Sequence, residues 1–192
     1  NPSWGGWGGR YVKVRENTYL DPVPVEGYQY PEGRWYGENG WGRCSLRPGS
    51  TATEEERRIY FKPMWRWSKA MQNDFAARAD WCVKSYEEAN HAPIVVLAHE
   101  ADLMASAGET LELSAEGTSD PDGDKLAYNW WQYVEAGSYK GKIDLRNSSD
   151  VKSFIQIPAD ARTGDTIHVI CEVSDDGEPQ LTRYQRVVIT VR

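Results

Sequence analysis

Long hydrophobic runs are missing from this 192-residue sequence, and its longest apolar stretches, such as Ile94 to Ala98, are far too short to cross a bilayer. We therefore expect no membrane association. A basic and apolar leader is also missing and the first residue is Asn1, from which we expect a piece cut from a longer precursor.

Cysteine is scarce, with three residues that form no CxxC metal or redox motif. The odd number leaves at least one thiol outside any bridge within the chain. Cys44 and Cys82 would form a disulfide in an oxidising compartment, and the alternative is that both are buried and reduced. Cys171 stands alone, without the second strand cysteine of antibody domains.

Basic residues are outnumbered, since 22 Lys and Arg stand against 29 Asp and Glu, for a net charge of -7. A phosphate backbone would meet a repulsive field, so we expect no nucleic-acid partner. Phenylalanine is also rare, with three residues against nine Trp and eleven Tyr. Because Trp and Tyr suit half-wet surfaces, this balance favours recognition of a polar ligand with flat faces.

Common catalytic motifs are absent: the sequence contains no HExxH, GxSxG or Walker pattern. Its three histidines are His91, His99 and His168, and we interpret His168 as a surface residue. No pair of carboxylates is spaced for acid and base catalysis. We therefore assign no catalytic residue.

Composition changes at about Ala92–Pro93, where we place a domain boundary. Residues 1–92 predict a loop-rich α/β segment with a strand in "GGRYVKVRE", a helical turn beginning in the acidic run at Glu54 and one long amphipathic helix. That helix carries an apolar stripe that requires a partner surface. The stripe consists of Trp67, Met71, Phe75, Ala79, Cys82 and Tyr86.

Residues 93–192 contain six short runs of strand character separated by turn sequences. The runs are "PIVVLAH", "TLELSAEGT", "KLAYNWWQY", "VKSFIQIP", "TIHVICEVSD" and "LTRYQRVVITV". This spacing is typical of an immunoglobulin-like antiparallel β-sandwich, so the fold class is mainly β.

Side chains alternate between the two faces of a strand, so Trp130 and Trp131 cannot both enter one core. We place Trp130 inward with Leu126 and Tyr128, and Trp131 outward with Asn129 and Tyr133. The outward rings would lie about 7 Å apart and offer a platform for sugar rings. The alternative is that the preceding domain or the "GSYKGK" segment covers them.

Further candidate ligand-binding rings are held by glycine-rich loops. Trp4 and Trp7 lie in "WGGWGG", and Trp35, Tyr36 and Trp41 lie in "GRWYGENGWGR". Ordering glycine is costly in conformational entropy, so the indoles must recover that cost from what they contact. A ligand or a neighbouring domain would satisfy this requirement.

Asp120, Asp122 and Asp124 in "SDPDGD" place three carboxylates at alternate positions, a pattern that permits calcium. The stretch lacks the distal glutamate and the length of an EF-hand loop. A tight Asx-type turn explains the same residues, so we predict neither a metal nor a cofactor.

Five stretches together resemble a known family: "PSWGGWGGRY", "NDFAARADWCV", "ANHAP", "SAGETLELSAEGTSDPDGDKLAYNWWQY" and "RVVITV". They are similar to the C-terminal half of bacterial cellulose-binding proteins that join a nucleoside-hydrolase-like domain to a C-terminal sandwich. The resemblance implies that residues 1–92 end the first domain, and that 93–192 form the second. It also implies secretion, or a periplasmic or cell-surface location, and a glycan ligand. The Asp-rich metal motif of the first domain is absent, so no catalytic residue is carried over.

The leading hypothesis is therefore binding of cellulose or a related β-glucan by stacking on Trp4, Trp7, Trp35, Tyr36, Trp41, Trp131 and Tyr133. An alternative is a glycosidase whose catalytic residues lie mainly upstream, with the sandwich as a spacer. The partners expected are a polysaccharide or oligosaccharide and an upstream domain of the same protein.

Overall fold

The computed structural model describes the backbone at residues 12–15, 18–20 and 54–192 except 135, and the side chains from Arg66 onward, again except 135. The described residues fall into two units, one ending at Lys69 and one starting at Ala70. In the first unit, β1 (Val12–Arg15) and β2 (Thr18–Leu20) pair antiparallel. β1 lies within the predicted "GGRYVKVRE" strand.

Helix α1 spans Glu54–Asp80 and thus begins in the acidic run, where carboxylates interact favourably with the positive end of the helix. The sequence predicted an apolar stripe that continued to Cys82 and Tyr86, but the helix ends before both residues. Beyond Asp80 the regular pattern is lost, since Cys82 N–H donates to the carbonyl three residues back, Ala79 O, at 3.2 Å. No helix among the described residues combines the length and apolarity needed to span a bilayer.

The second half of α1 contacts the sandwich through a face that the apolar pattern did not indicate. Ala77 is fully buried, whereas Phe75 on the predicted stripe is 76% exposed. Asn73 Nδ2 donates to Gln180 O at 2.8 Å, and Asp74 lies 3.3 Å from the Arg183 guanidinium. A small residue one turn after two polar anchors lets the helix approach closely, so the contacting face is the one that carries these polar groups.

The segment between helix and sandwich is fixed by a buried amide and carboxylate. Asn90 Nδ2 donates to Pro179 O at 2.9 Å and to Asp175 Oδ2 at 3.2 Å. Asp175 Oδ1 accepts the Leu181 backbone N–H at 2.8 Å. Burial raises the pKa of the Asp175 carboxyl, while these donors oppose the shift.

The second unit also contains a sandwich of two sheets. Its strands are β3 (Asp102–Ala105), β4 (Thr110–Ser114), β5 (Ala127–Gln132), β6 (Asp144–Arg146), β7 (Lys152–Gln156), β8 (Thr166–Ser174) and β9 (Thr182–Val191). One sheet has the order β3-β9-β8-β5 and the other β4-β7-β6. All pairs are antiparallel except β3 with β9, which is parallel. The mainly β, immunoglobulin-like prediction is confirmed.

Two elements differ from the sequence prediction. "PIVVLAH" forms no strand, and Ile94 makes only an isolated bridge to Ser119. The first strand of the sandwich is instead β3, which contains Met104 at 61% exposure. β6 also falls outside the six predicted runs. Both β3 and β6 are short strands at sheet edges, where sequence alternation is weak.

The core lies between the two sheets. Its largest fully buried side chains are Trp130, Leu113, Ile155, Ile157, Ile167, Leu181, Ile189, Val169, Val173, Val187 and Val191. Leu126 and Tyr128 pack against this core, so the inward set of β5 is confirmed. Burial raises the pKa of the core Cys171 thiol to about 12. This thiol is therefore protonated at neutral pH.

Candidate aromatic recognition site

The outer side of the four-stranded sheet brings aromatic and acidic side chains together across β5, β8 and β9. Trp131 pairs with Ile170, and Glu172 stands between Asn129 on one side and Tyr184 on the other. Because neighbouring Trp130 and Cys171 point into the core, Trp131 and Glu172 point outward. We define the outer sheet face as Trp131, Tyr133, Ile170, Glu172 and Tyr184, of which Ile170 is buried at 5% exposure.

Trp131 and Tyr133 contact each other on this face. Their ring centroids are 5.8 Å apart and the ring planes meet at 63°, an edge-to-face arrangement. Both side chains are half-buried. Tyr133 follows the last residue of β5, and its N–H donates to His168 O at 2.8 Å, which prolongs the strand pairing. The rings therefore form a corner rather than the flat platform expected from the sequence.

A carboxylate holds one of the two rings. Trp131 Nε1 donates to Glu172 Oε2 at 2.9 Å, across 41 residues of sequence. Tyr184 lies directly opposite Glu172, and burial followed by the Glu172 charge raises the pKa of the Tyr184 phenol. The phenol therefore keeps its proton at neutral pH.

Sequence reasoning did not identify Glu172 and Tyr184. Their outward direction could be derived from the alternation in β8 and β9, but their meeting with Trp131 depends on strand register across distant segments. His168 is also outward and is half-buried rather than fully exposed.

The "SDPDGD" stretch, which the sequence analysis considered for calcium, forms a turn. Asp120 Oδ1 accepts the backbone N–H groups of Asp122 at 2.9 Å and Asp124 at 3.2 Å, and Gly123 has φ of 82°. Asp122 in turn accepts the His91 backbone N–H at 2.6 Å. These contacts account for the predicted Asx-type turn.

The three aspartates nevertheless lie close together. One oxygen of each is within 4.8 Å of the others, and burial followed by the Asp120 charge raises the pKa of Asp124. Calcium requires six to eight oxygen ligands, whereas Asp120 Oδ1 and Asp122 are already engaged with backbone groups. The turn contacts account for Asp120 Oδ1 and Asp122, whereas Asp120 Oδ2 is buried without a hydrogen-bond partner among the described residues.

The remaining predicted rings, Trp4, Trp7, Trp35, Tyr36 and Trp41, lie outside the described residues, as does Cys44. Cys82 carries a free, exposed thiol, 3.2 Å from Arg78 O. Neither alternative that we considered for Cys82, a bridge or a buried thiol, is found.

Comparison with known proteins finds a family that matches most of this sandwich. Residues 110–191 match the family described as "Cellulose-binding protein Sde0182, C-terminal domain". The family resemblance is confirmed. The Sde0182-type region contains the whole outer sheet face, whereas α1 and β3 precede it. No curated protein sequence matches the chain.

Among solved structures, the chain is similar over its full length to a protein from Saccharophagus degradans, at 36% identity and a TM-score of 0.69. That protein is described as nucleoside hydrolase-related and associated with carbohydrate metabolism. The chain spans 43% of its length. A PKD domain is also similar, at 15% identity and a TM-score of 0.36, over 51% of this chain and 86% of that domain.

Proposed function

We propose that this chain binds carbohydrate, cellulose or a related β-glucan, through the outer sheet face. The observation that carries the proposal is the Trp131–Tyr133 pair beside the Glu172 carboxylate, on a sandwich that matches a cellulose-binding family. Aromatic rings with a few convergent polar groups suit a ligand that has apolar ring faces and hydroxyl edges.

The corner geometry limits how a sugar binds. With planes at 63°, Trp131 and Tyr133 cannot both lie flat against one sugar ring. One ring would stack on the pyranose face while the other contacts its edge. Because Glu172 already holds the Trp131 indole N–H, this side chain loses little conformational entropy when a sugar binds.

The rings of the glycine-rich loops extend this proposal beyond the sandwich. Trp4, Trp7, Trp35, Tyr36 and Trp41 remain predicted stacking residues. We also propose that residues 1–92 belong to a nucleoside-hydrolase-like domain, that 93–192 form the sandwich, and that the protein works outside the cytoplasm. Support for the first domain comes from the full-length similarity to a nucleoside hydrolase-related protein, and support for the location comes from the match to a cellulose-binding family.

The same similarity favours one second candidate, a longer protein with glycosidase activity whose catalytic residues lie mainly upstream. Sugar release by a longer protein that includes this chain, and none by the chain alone, would support it. Glycan binding by the chain alone requires no such activity, so the two proposals are tested separately.

Depletion from solution by insoluble cellulose tests the proposed function. We expect wild type to be depleted and Trp131→Ala to lose about tenfold in affinity, on the scale of the about 1–3 kcal/mol that an aromatic side chain contributes by stacking on a nucleobase. Phe75→Ala is the control, because Phe75 is an exposed aromatic residue on α1 and belongs to neither sheet.

Equal retention of wild type and Trp131→Ala in the supernatant would overturn the proposal. Circular dichroism on both variants establishes that the fold persists. If Trp131→Ala lowers the melting temperature and leaves binding unchanged, the outer rings serve packing alone.

A further inference from the structure

We propose that Glu172 accepts hydrogen bonds from the hydroxyls of the bound glycan, and that the site therefore takes uncharged sugars in preference to acidic ones. This inference rests on the proposed carbohydrate-binding function and adds a polar recognition group to it. Nothing in the sequence pattern or in the family match assigns a role to this residue.

The two oxygens of Glu172 have different surroundings. Oε2 accepts the Trp131 indole N–H at 2.9 Å, which fixes the carboxylate at the edge of the ring. Oε1 accepts no hydrogen bond from any residue that the structure describes. A half-buried carboxylate with one oxygen engaged is oriented before a ligand arrives. The other oxygen can then accept a hydrogen bond from a sugar hydroxyl.

The position of Glu172 fits a sugar that lies on Trp131. Hydroxyls project from the rim of a pyranose ring, so an acceptor at the edge of an indole meets them while the ring faces are in contact. Hydrogen bonds to an ionised acceptor are roughly twice as strong as neutral ones. Asn129, exposed and directly opposite on β5, offers a second polar group at this edge.

The charge of the same carboxylate provides the selectivity. A uronic acid would bring its own carboxylate close to Glu172, on a chain whose net charge is already -7. Arg186 lies on the same face, since it pairs with Ile170 as Trp131 does, but no ion pair joins it to Glu172 among the described residues. A neutral glycan avoids this repulsion and gains the acceptor.

The experiment measures binding of cellohexaose and of polygalacturonate by isothermal titration calorimetry. It uses wild type, Glu172→Gln, Glu172→Ala and Trp131→Ala, with Glu112→Gln as the control, since Glu112 is an exposed glutamate on the other sheet. The glutamine variant keeps an oxygen that can accept the indole N–H but removes the charge.

We expect Glu172→Gln to weaken cellohexaose binding about tenfold, as the loss of a charged hydrogen bond implies. We also expect it to reduce the ratio of the affinity for cellohexaose to the affinity for polygalacturonate. Wild-type affinity of Glu172→Gln for cellohexaose, together with weak binding by Glu172→Ala, would assign Glu172 to holding Trp131 alone and overturn the inference. The glutamine variant keeps the test valid even if Glu172→Ala fails to fold.

The inference and the underlying function fail in different ways. If Trp131→Ala loses binding while Glu172→Gln binds both glycans as wild type does, only the inference is wrong. If wild type binds no neutral glycan, or Trp131→Ala binds normally, the proposed function is wrong as well.

Discussion

At the scale of single residues, the neighbouring Trp130 and Trp131 have opposite surroundings. Trp130 is 2% exposed, and its indole N–H donates to the Asp150 backbone carbonyl at 3.0 Å. Trp131 is half-buried and donates to a side-chain carboxylate. Strand alternation accounts for this difference. Removing the first ring should cost stability, whereas removing the second should cost binding.

Asp124→Asn is expected to stabilise the fold at neutral pH. Burial and neighbouring carboxylates, Asp120 first, raise the pKa of Asp124 above 3.8, so ionisation of Asp124 destabilises the folded state. This destabilisation is absent below the unfolded-state pKa and grows as pH rises through the folded-state pKa. The melting temperature of the variant should therefore exceed that of wild type at pH 7 and match it at about pH 3.

Thermal unfolding at both pH values measures the effect. Asp102→Asn is a suitable control, because Asp102 is an exposed aspartate at the start of β3. An unchanged or lower melting temperature of Asp124→Asn at pH 7 would contradict the expectation.

At the scale of elements, β5 was predictable and the rotation of α1 was not. The order of residues in "KLAYNWWQY" determines which side chains of β5 face the core, because alternation is a local property. The buried face of α1 depends on Asn73 and Asp74, whose partners Gln180 and Arg183 lie more than one hundred residues away. An apolar pattern contains no information about such polar anchors.

The rotation of α1 is testable with a pair of substitutions two residues apart. Ala77→Glu would place a charge at a fully buried position, so we expect a loss of about 2 kcal/mol or more in the free energy of unfolding. Phe75→Glu changes a residue that is 76% exposed, and its effect should stay within about 0.5 kcal/mol.

Urea denaturation of both variants gives the two free energies. A larger loss for Phe75→Glu than for Ala77→Glu would show that the apolar stripe, rather than the polar face, contacts the sandwich.

At the scale of the whole molecule, the outer sheet face depends on long-range assembly. Trp131 and Tyr133 were predicted from one strand, but Glu172 and Tyr184 join them only through the registers of β5 with β8 and of β8 with β9. Register follows from the complete sandwich and is not encoded in any one segment. This is why three of the five residues of the outer sheet face, Ile170, Glu172 and Tyr184, escaped the sequence prediction.

Thiol reactivity provides a measure of global unfolding. In a Cys44→Ser background, we expect the exposed Cys82 to react at once with Ellman's reagent. Cys171 should react only on unfolding, because it is fully buried and its pKa is raised to about 12. Absorbance at neutral pH, with and without denaturant, follows both reactions. Rapid modification of two thiols in the native protein would show that the core opens locally.

The place of β9 in its sheet has a consequence for folding. β9 follows all the other described strands in sequence, yet it lies between β3 and β8. A nascent chain that ends before Thr182 would leave β3 without a sheet partner and one edge of β8 unpaired. The first and last strands of the sandwich meet only after synthesis reaches β9, so the intermediate must stay soluble with open strand edges until then.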